Sequence, residues 1–151
     1  MTEHVQIQQA PWAEQRTSLL AIRFRVFVDE QGVPPAMEED EHDPAALHLL
    51  ALNETGKAIA CARLLIDGEN GYIGRMAVLP EYRRQGIGAR LLGELLGRAR
   101  EKQLKHVQLH AQCSAEPFYQ KQDFLPVGPV FDEAGIPHRK MTLDLAGPTE
   151  P

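Results

Sequence analysis

The sequence predicts a mixed α/β fold, in which helices flank one sheet of parallel and antiparallel strands. Three observations predict it. Residues 71–101 read as a strand, a tight turn and an amphipathic helix. Another strand pattern follows this helix, which makes a βαβ crossover. Further apolar runs are separated by short turns that are typical of β-hairpins.

The first strand is expected to be short, because Val5 and Ile7 alternate with glutamines. A helical pattern then begins at Pro11 and Trp12, continues to about Val28 and ends before a glycine and two prolines. The apolar residues on its predicted face are Leu19, Ile22 and Val26. We therefore expect one strand and one broken helix in this part of the chain.

The middle of the chain predicts three strands and a long helix. Two apolar runs, residues 47–52 and 58–66, flank a polar turn and predict a hairpin. A third strand is expected over residues 72–79 and stops at Pro80. The helix after the glycine turn has one apolar face, whose residues recur at helical spacing. These residues are Ile87, Leu91, Leu92, Leu95, Leu96 and Ala99.

The last third of the chain predicts three more strands and one short helix. Alternation of apolar and polar residues predicts a half-buried strand over residues 106–112. Two further strands are expected over residues 125–131 and 138–145. A short helix that contains Tyr119 is expected between strands 106–112 and 125–131, with Ser114 as its N-cap.

Length and composition bound the class of protein. The 151 residues suffice for one domain, which we place at residues 1–145, with a flexible tail at 146–151. With 16 Lys and Arg against 21 Asp and Glu, the formal charge of −5 argues against nucleic-acid binding. The cysteines form no disulfide framework or metal-binding spacing, and no stretch is typical of a signal peptide or a membrane span. We therefore expect a cytoplasmic protein that binds no metal, nucleic acid or membrane.

The turn at residues 83–88, RRQGIG, is a candidate anion site. The first N–H groups of the helix that follows have no partner within the helix, and the helix dipole favours a negative charge there. Gly86 and Gly88 let a phosphate approach the backbone, and Arg83 adds positive charge. The spacing fits neither a P-loop nor a dinucleotide-binding turn. The alternative interpretation is that the glycines serve only to pack a tight turn.

The order of features around this turn closely resembles motif A of the GNAT superfamily, the Gcn5-related N-acetyltransferases. Residues 23–43 and 118–141 are similar to the ElaA-like branch of that superfamily. The resemblance implies the GNAT acyl-CoA N-acyltransferase fold, with a sheet that splays between strands 72–79 and 106–112. It also implies that the glycine turn binds the pyrophosphate of acetyl-coenzyme A. The residues that would bind this co-substrate are Met76, Ala77, Val78, Arg83, Arg84, Gln85, Gly86, Ile87, Gly88, Ala89 and Tyr119.

Direct acetyl transfer to an amine needs a bound thioester, a neutral amine and a proton for the departing thiolate. Positioning alone can contribute as much as ~7 to 11 kcal/mol, so the chemistry requires no catalytic triad. The resemblance implies that Tyr119 is catalytic and donates the proton, whereas the alternative is a tyrosine that only packs in the core. Asp123 stands where the family usually has glycine, and aspartate adopts positive φ more readily than most residues.

The amine also needs a route by which it loses a proton. A lysine-like amine has a pKa of ~10.4, so a base or a water relay is required. The resemblance implies that Glu30 and three residues of the acidic run at 38–43, namely Glu39, Asp40 and His42, line the acceptor side, with Glu39 and His42 as catalytic candidates. His110, on the strand after the long helix, is a further catalytic candidate. The alternative interpretation of the acidic run is a solvated surface turn.

The predicted function is that of an N-acetyltransferase, which transfers the acetyl group of acetyl-coenzyme A directly to a primary amine of an unidentified small molecule or peptide. The alternative is a coenzyme A-binding regulatory module with little transferase activity. A homodimer is a further expectation, because dimers are common in such families. The roles of His138 and Cys113 are left open, including a reaction through an acyl-cysteine.

Overall fold

The computed structural model describes residues 4–145. Its strands are β1 (Gln6–Gln9), β2 (Leu47–Leu52), β3 (Ala58–Asp67), β4 (Asn70–Val78), β5 (His106–Gln112), β6 (Leu125–Glu133) and β7 (Ile136–Asp144). Within the described residues they form one seven-stranded sheet of order β1-β2-β3-β4-β5-β7-β6. Only β4 and β5 pair in parallel among these strands, so the predicted mixed sheet is confirmed. The tail predicted at residues 146–151 lies outside the described residues.

The helices of the described part of the chain are α1 (Trp12–Arg23), α2 (Ile87–Glu101) and α3 (Glu116–Gln120). The first continues directly as a π-helix over Phe24–Glu30, so the expected break is a change of helix type. The prediction that Ser114 caps α3 is wrong. A short 3₁₀ helix over Cys113–Ala115 includes this serine, and the N-cap position falls on Ala115.

The sheet splits where β4 and β5 separate. These strands pair over Asn70–Ile73 and His106–Leu109, after which β5 continues alongside β7. A β-bulge in β4 accompanies the separation, because Arg75 and Met76 both lie opposite Ala62 of β3. Arg75 adopts a φ of 51°, a left-handed conformation that is uncommon outside glycine. A cleft therefore opens between the two strands beyond the bulge.

Helices cover both faces of the sheet, because alternate residues of a strand point to opposite sides. On β2, Leu49 packs in the cluster around α2, whereas Leu50 packs in the cluster around α1. The apolar residues predicted for the inner face of α2 are all buried, with exposed fractions of 0 to 4%. Each buried leucine contributes about 1.5 to 3 kcal/mol. The N-terminal turn of α2 is therefore held firmly against the sheet.

Candidate active site

A cleft of about 840 Å³ occupies the gap between β4 and β5. Its walls are the bulged half of β4, the outer ends of β5 and β7, the π-helix and α3. The splayed sheet thus brings predicted coenzyme residues and one predicted base candidate into one cavity. The predicted site residues that line it are Met76, Ala77, Val78, Arg83, Gly88, His110 and Tyr119.

The glycine turn leads into α2 with backbone donors at its start. Gly86 is the N-cap and has a φ of 80°, a left-handed conformation that favours glycine. No described side chain caps this turn, and the helical bonding begins where Arg90 N–H donates to Gly86 O at 3.1 Å. At Gly88 a Cβ would lie 3.4 Å from Phe118 Cζ, an ordinary contact distance, so the first turn of α2 lies directly beside α3. This geometry fits an anion such as a pyrophosphate.

Arg83 is held at the edge of the turn by a carboxylate. Its guanidinium donates to both oxygens of Glu30, at 2.7 and 2.8 Å, and its Nε donates to Val78 O at 2.9 Å. The hydrogen bond from Arg83 lowers the pKa of Glu30. A phosphate that reached Arg83 would therefore compete with Glu30 for the guanidinium.

The other predicted coenzyme residues of the turn differ in exposure. Arg84 and Gln85 are exposed, and Arg84 has a φ of 64°. Ile87 buries its side chain in the core, and Ala89 is half-buried, so their polar contribution at this turn comes from backbone N–H groups. The turn therefore combines backbone donors with exposed polar side chains.

Tyr119 lies on α3 and reaches the bulged half of β4. Its hydroxyl is 4.0 Å from Met76 Sδ, a weak hydrogen-bond acceptor. Burial raises the pKa of Tyr119 to about 12, so the phenol stays protonated at neutral pH. Edge-on contacts with Phe118 and Phe124 hold the ring, at centroid distances of 5.0 and 6.0 Å. The hydroxyl is therefore a protonated donor whose present contact is easily displaced.

The turn after α3 is tight and closes back on the helix. Asp123 adopts a φ of 73°, the left-handed conformation expected of a residue that stands in place of glycine. Phe124 N–H donates to Tyr119 O at 3.2 Å, and the Phe124 side chain is fully buried. The expectation that aspartate can serve in this turn is confirmed, and the turn anchors the helix that carries Tyr119.

The acidic run contains two predicted catalytic residues that the structure places outside the cleft. Glu39 accepts a hydrogen bond from Arg16 of α1 at 2.8 Å, and His42 is exposed with its Nε2 3.9 Å from Glu41. The cleft lining formed by residues 4–145 includes neither side chain, whereas it does include Glu38. Adjacent residues of the run face different ways, so the structure does not bring Glu39 and His42 to the other catalytic candidates.

Glu38 and Asp43 are buried in a network of charges. Arg23, itself fully buried, donates to Glu38 at 2.7 Å and to both oxygens of Asp43 at 2.9 and 3.0 Å. Arg63 of β3 donates to Asp40 and Asp43, each at 2.9 Å. Burial acts to raise the pKa of Asp43, but hydrogen bonds from Arg23 and from the Asp40 N–H outweigh it and lower the pKa to about 2. The interpretation of the run as a solvated turn is therefore wrong for Glu38 and Asp43.

A second group of polar side chains lies on the wall formed by β5, β6 and β7. His110 Nδ1 is 2.9 Å from Glu133 Oε1, and His138 Nε2 is 3.9 Å from Glu133 Oε2. All three side chains line the cleft. Sequence reasoning identified His110, left His138 open and missed Glu133, whose neighbours indicate only a hairpin turn. Strand register brings the three together, and no local sequence pattern carries that register.

The two cysteines, Cys61 and Cys113, are poorly suited to nucleophilic catalysis. Burial raises the pKa of Cys61 to about 12, and burial together with Glu116 raises the pKa of the Cys113 thiol. Neither cysteine is therefore activated as a nucleophile.

Within residues 4–145, no group of three or more His, Cys, Asp or Glu side chains is placed to hold a metal ion. The helices of this part of the chain are too short or too polar to cross a membrane.

A comparison with protein-family models assigns the chain to a family that has the glycine turn and the splayed sheet described above. The family model for the acetyltransferase (GNAT) domain matches residues 7–145. The chain belongs to the GNAT acetyltransferases. Members of this family use acyl-coenzyme A as the donor and amines as acceptors. The predicted superfamily and the predicted enzyme class are therefore confirmed.

Individual relatives support the same assignment. The acetyltransferase is 33% identical to ElaA of Escherichia coli K12 over 133 residues, which are 85% of this chain and 86% of ElaA. The crystal structure of Escherichia coli ElaA has a TM-score of 0.82 at 30% identity and covers 92% of this chain and 99% of its own. An acyl-CoA N-acyltransferase from Pseudomonas aeruginosa has a TM-score of 0.83 at 30% identity, with coverage of 92% and 99%. The predicted ElaA-like branch is confirmed.

Proposed function

We propose that this enzyme transfers the acetyl group of acetyl-coenzyme A directly to a primary amine of a small molecule or peptide. The observation that carries the proposal is the shared cleft, into which the glycine turn, the bulged half of β4 and Tyr119 all open. A thioester and an amine bound in one cleft react faster because they are positioned, an effect that contributes as much as ~7 to 11 kcal/mol.

The predicted coenzyme residues divide into three groups in this proposal. The N–H groups of residues 87–89 bind the pyrophosphate, with help from Arg83, Arg84 and Gln85. Residues 76–78, which lie beyond the separation of β4 from β5, pair through their backbone with the pantetheine arm. Tyr119 gives its proton to the departing thiolate.

The base that takes the proton of the amine comes from the acceptor side of the cleft. Of the predicted candidates His110, Glu39 and His42, His110 is the one whose side chain lines the cleft, because the other two point to α1 and to solvent. We therefore expect the base on the same wall as His110. A water relay is the alternative route. A cytoplasmic location and a homodimer stay predictions.

Thermal unfolding with and without acetyl-coenzyme A tests the co-substrate site. At about 100 times its Kd, a ligand adds about 2.7 kcal/mol of stability, which raises the Tm clearly. Gly86→Asp places a side chain and a negative charge in the turn, so we expect it to abolish this rise. Gly93→Asp is the matched control, because it adds the same charge to an exposed position of α2 with open space around it. An unchanged Tm of the native chain at millimolar acetyl-coenzyme A would refute the proposal.

Release of coenzyme A in the presence of amines tests the transfer itself. The probes are spermidine, lysinamide, kanamycin and a tripeptide with an unblocked N-terminus. At least one is expected to accelerate thiol release and to be recovered in acetylated form. If acetyl-coenzyme A binds but none of the amines accelerates its turnover, the result favours the alternative of a coenzyme A-binding regulatory module.

A further inference from the structure

The wall of the cleft opposite the coenzyme side carries a compact polar cluster, which we call the His–Glu–His group: His110, Glu133 and His138. A two-residue turn joins β6 to β7, with positive φ of 54° at Ala134 and 79° at Gly135. Such a turn sets the register of a hairpin. Glu133 and His138 therefore have defined positions on neighbouring strands, and the pairing of β5 with β7 places His110 beside them.

The hydrogen bonds of the His–Glu–His group determine where its protons lie. His138 Nδ1 is 2.7 Å from Ile136 O, and a carbonyl only accepts, so Nδ1 carries the hydrogen. The neutral ring then presents a lone pair at Nε2. His110 Nδ1 donates to Glu133 Oε1 at 2.9 Å, which leaves Oε2 to face His138 Nε2 at 3.9 Å. Stacking on Phe131, with ring centroids 6.1 Å apart, helps to fix the His138 ring.

Glu133 Oε2 and His138 Nε2 are both hydrogen-bond acceptors in this arrangement, so neither can donate to the other. A primary ammonium has a positive charge and up to three hydrogens, so it can donate to Glu133 and His138 at once. We propose that Glu133 and His138 bind the ammonium group of the acceptor substrate, and that His110 is a positioning residue that holds Glu133. The inference rests on the proposed function, because it places the acceptor in the same cleft as the thioester.

The arginine next to His138 on β7 pairs with other groups than Glu133. Arg139 follows His138 on β7, but its Nε donates to Gly128 O at 3.1 Å and its Nη1 lies 3.8 Å from Glu116. These contacts direct Arg139 to other partners than Glu133. Arg139 therefore does not occupy the Glu133 carboxylate, which lines the cleft.

In this position His138 also accepts the proton that the amine must lose. One N–H proton passes to His138 Nε2, and the nitrogen lone pair then attacks the thioester carbonyl. The C–S bond breaks with its electron pair on sulfur, and the thiolate takes the proton of Tyr119. A second amine proton leaves to water as the amide forms. Tyr119 recovers a proton from water and His138 releases its own, so each turnover releases one net proton.

Coenzyme A thioethers test the ammonium site without knowledge of the acceptor. Alkyl thioethers that end in an ammonium are compared with those that end in a methyl group, over a series of linker lengths, by calorimetric titration. The best ammonium compound is expected to bind about tenfold more tightly than its methyl counterpart. Glu133→Gln keeps the shape of the side chain and is expected to remove this preference. Glu54→Gln, which removes an exposed charge in the turn between β2 and β3, outside the lining formed by the described residues, is expected to keep it.

The outcomes separate the two proposals. If neither acetyl-coenzyme A nor the methyl compounds bind, the proposed function fails, and the ammonium site fails with it. If these compounds bind but no ammonium compound is preferred, only the ammonium site is overturned. The same holds if Glu133→Gln binds the methyl compounds normally and keeps the preference.

Two further measurements test the roles of His110 and His138: the preference for ammonium compounds tests His110, and kcat tests His138. His110→Asn keeps an N–H donor toward Glu133 and is expected to retain the ammonium preference, whereas His110→Leu is expected to lose it. Equal behaviour of these two variants would overturn the positioning role. With the amine that the panel selects, His138→Gln is expected to lower kcat about 100-fold, whereas Glu133→Gln mainly raises KM. An unchanged kcat in His138→Gln would overturn the role of His138 as the base.

Discussion

The part of the cleft proposed to bind the coenzyme, the coenzyme half, and the part proposed to bind the amine, the acceptor half, are built in different ways. The coenzyme half comes mainly from one contiguous stretch, residues 74–90, and offers chiefly backbone groups. The acceptor half combines side chains from the π-helix, β5, β6 and β7, which lie far apart in the sequence. A backbone site tolerates many sequences around its glycines, whereas a side-chain site changes with one substitution. This difference explains how one fold can keep its acyl donor and vary its acceptors.

The two halves also differ in what holds them in place. Leucines of α2 fix the coenzyme turn, and their packing carries no charge. The π-helix and the acidic run are tied to the sheet by the buried pairs of Arg23 and Arg63 with Glu38 and Asp43. Buried ion pairs respond to pH and to the loss of one partner, unlike apolar contacts. The acceptor wall is therefore the more vulnerable half.

The largest expected effect is that of Asp43→Asn, because it removes the carboxylate charge that the buried Arg23 and Arg63 share. Removing one partner of a buried pair costs about 3 to 5 kcal/mol, which urea unfolding at neutral pH measures. Asp67→Asn, on the exposed end of β3, is the control and is expected to stay within about 0.5 kcal/mol of the native chain. Equal stability of the two variants would contradict the contrast between the halves.

The Asp43 carboxylate also makes the stability of the fold sensitive to acid. Its native pKa of about 2 lies below that of an unfolded aspartate, about 3.9, so ionised Asp43 stabilises the fold above about pH 4. This contribution, about 2 to 3 kcal/mol, is lost as the pH falls toward about 2. Urea unfolding across this range is expected to show a shallower dependence on pH for Asp43→Asn than for the native chain. Identical pH dependence would mean that Asp43 does not determine acid stability.

Within the coenzyme half, we expect Tyr119 to contribute to the rate of acetyl transfer more than to the affinity for acetyl-coenzyme A. Tyr119→Phe removes the hydroxyl but keeps the ring contacts with Phe118 and Phe124. The kcat is expected to fall about 100-fold or more, while the Kd of acetyl-coenzyme A changes less than about twofold. Steady-state thiol release and calorimetry measure the two quantities. Tyr82→Phe, which removes a hydroxyl that contacts Asn53, is the control. A native kcat in Tyr119→Phe would exclude the tyrosine as the proton donor.

The smallest expected effect comes from Glu30→Gln, which releases Arg83 from its exposed ion pair. Such pairs contribute at most about 1 kcal/mol, so we expect the Kd of acetyl-coenzyme A to fall about two- to fivefold. The gain should be larger at low salt, where exposed charges are screened less. Glu81→Gln breaks the similar exposed pair with Arg25 and is the control. Weaker binding by Glu30→Gln would show instead that Glu30 holds Arg83 in its phosphate-binding position.

The local structure of the coenzyme half could be predicted from short-range patterns in the sequence. Apolar spacing predicted the buried face of α2, and the two glycines predicted where this helix begins. The tolerance of aspartate for positive φ predicted the turn at Asp123. Each of these features depends on residues within a few positions of one another. The role of these residues in binding the coenzyme stays a prediction that the Gly86→Asp experiment tests.

The acceptor half could be located but not resolved. The sequence indicates an acidic run, yet Glu39 points to α1 while the adjacent Glu38 is buried against Arg23. Glu133 has no distinguishing pattern, because it stands in an ordinary turn sequence. It meets His110 and His138 only through the pairing of three strands.

By itself, the sequence determined the superfamily, the order of the elements and the position of the glycine turn. Periodicity and turn chemistry act over short distances along the chain, so they can be read without the fold. Only the tertiary structure decided which carboxylates line the cleft and which histidines lie beside Glu133. The physical reason is that a shift of one residue in strand register turns every side chain to the opposite face.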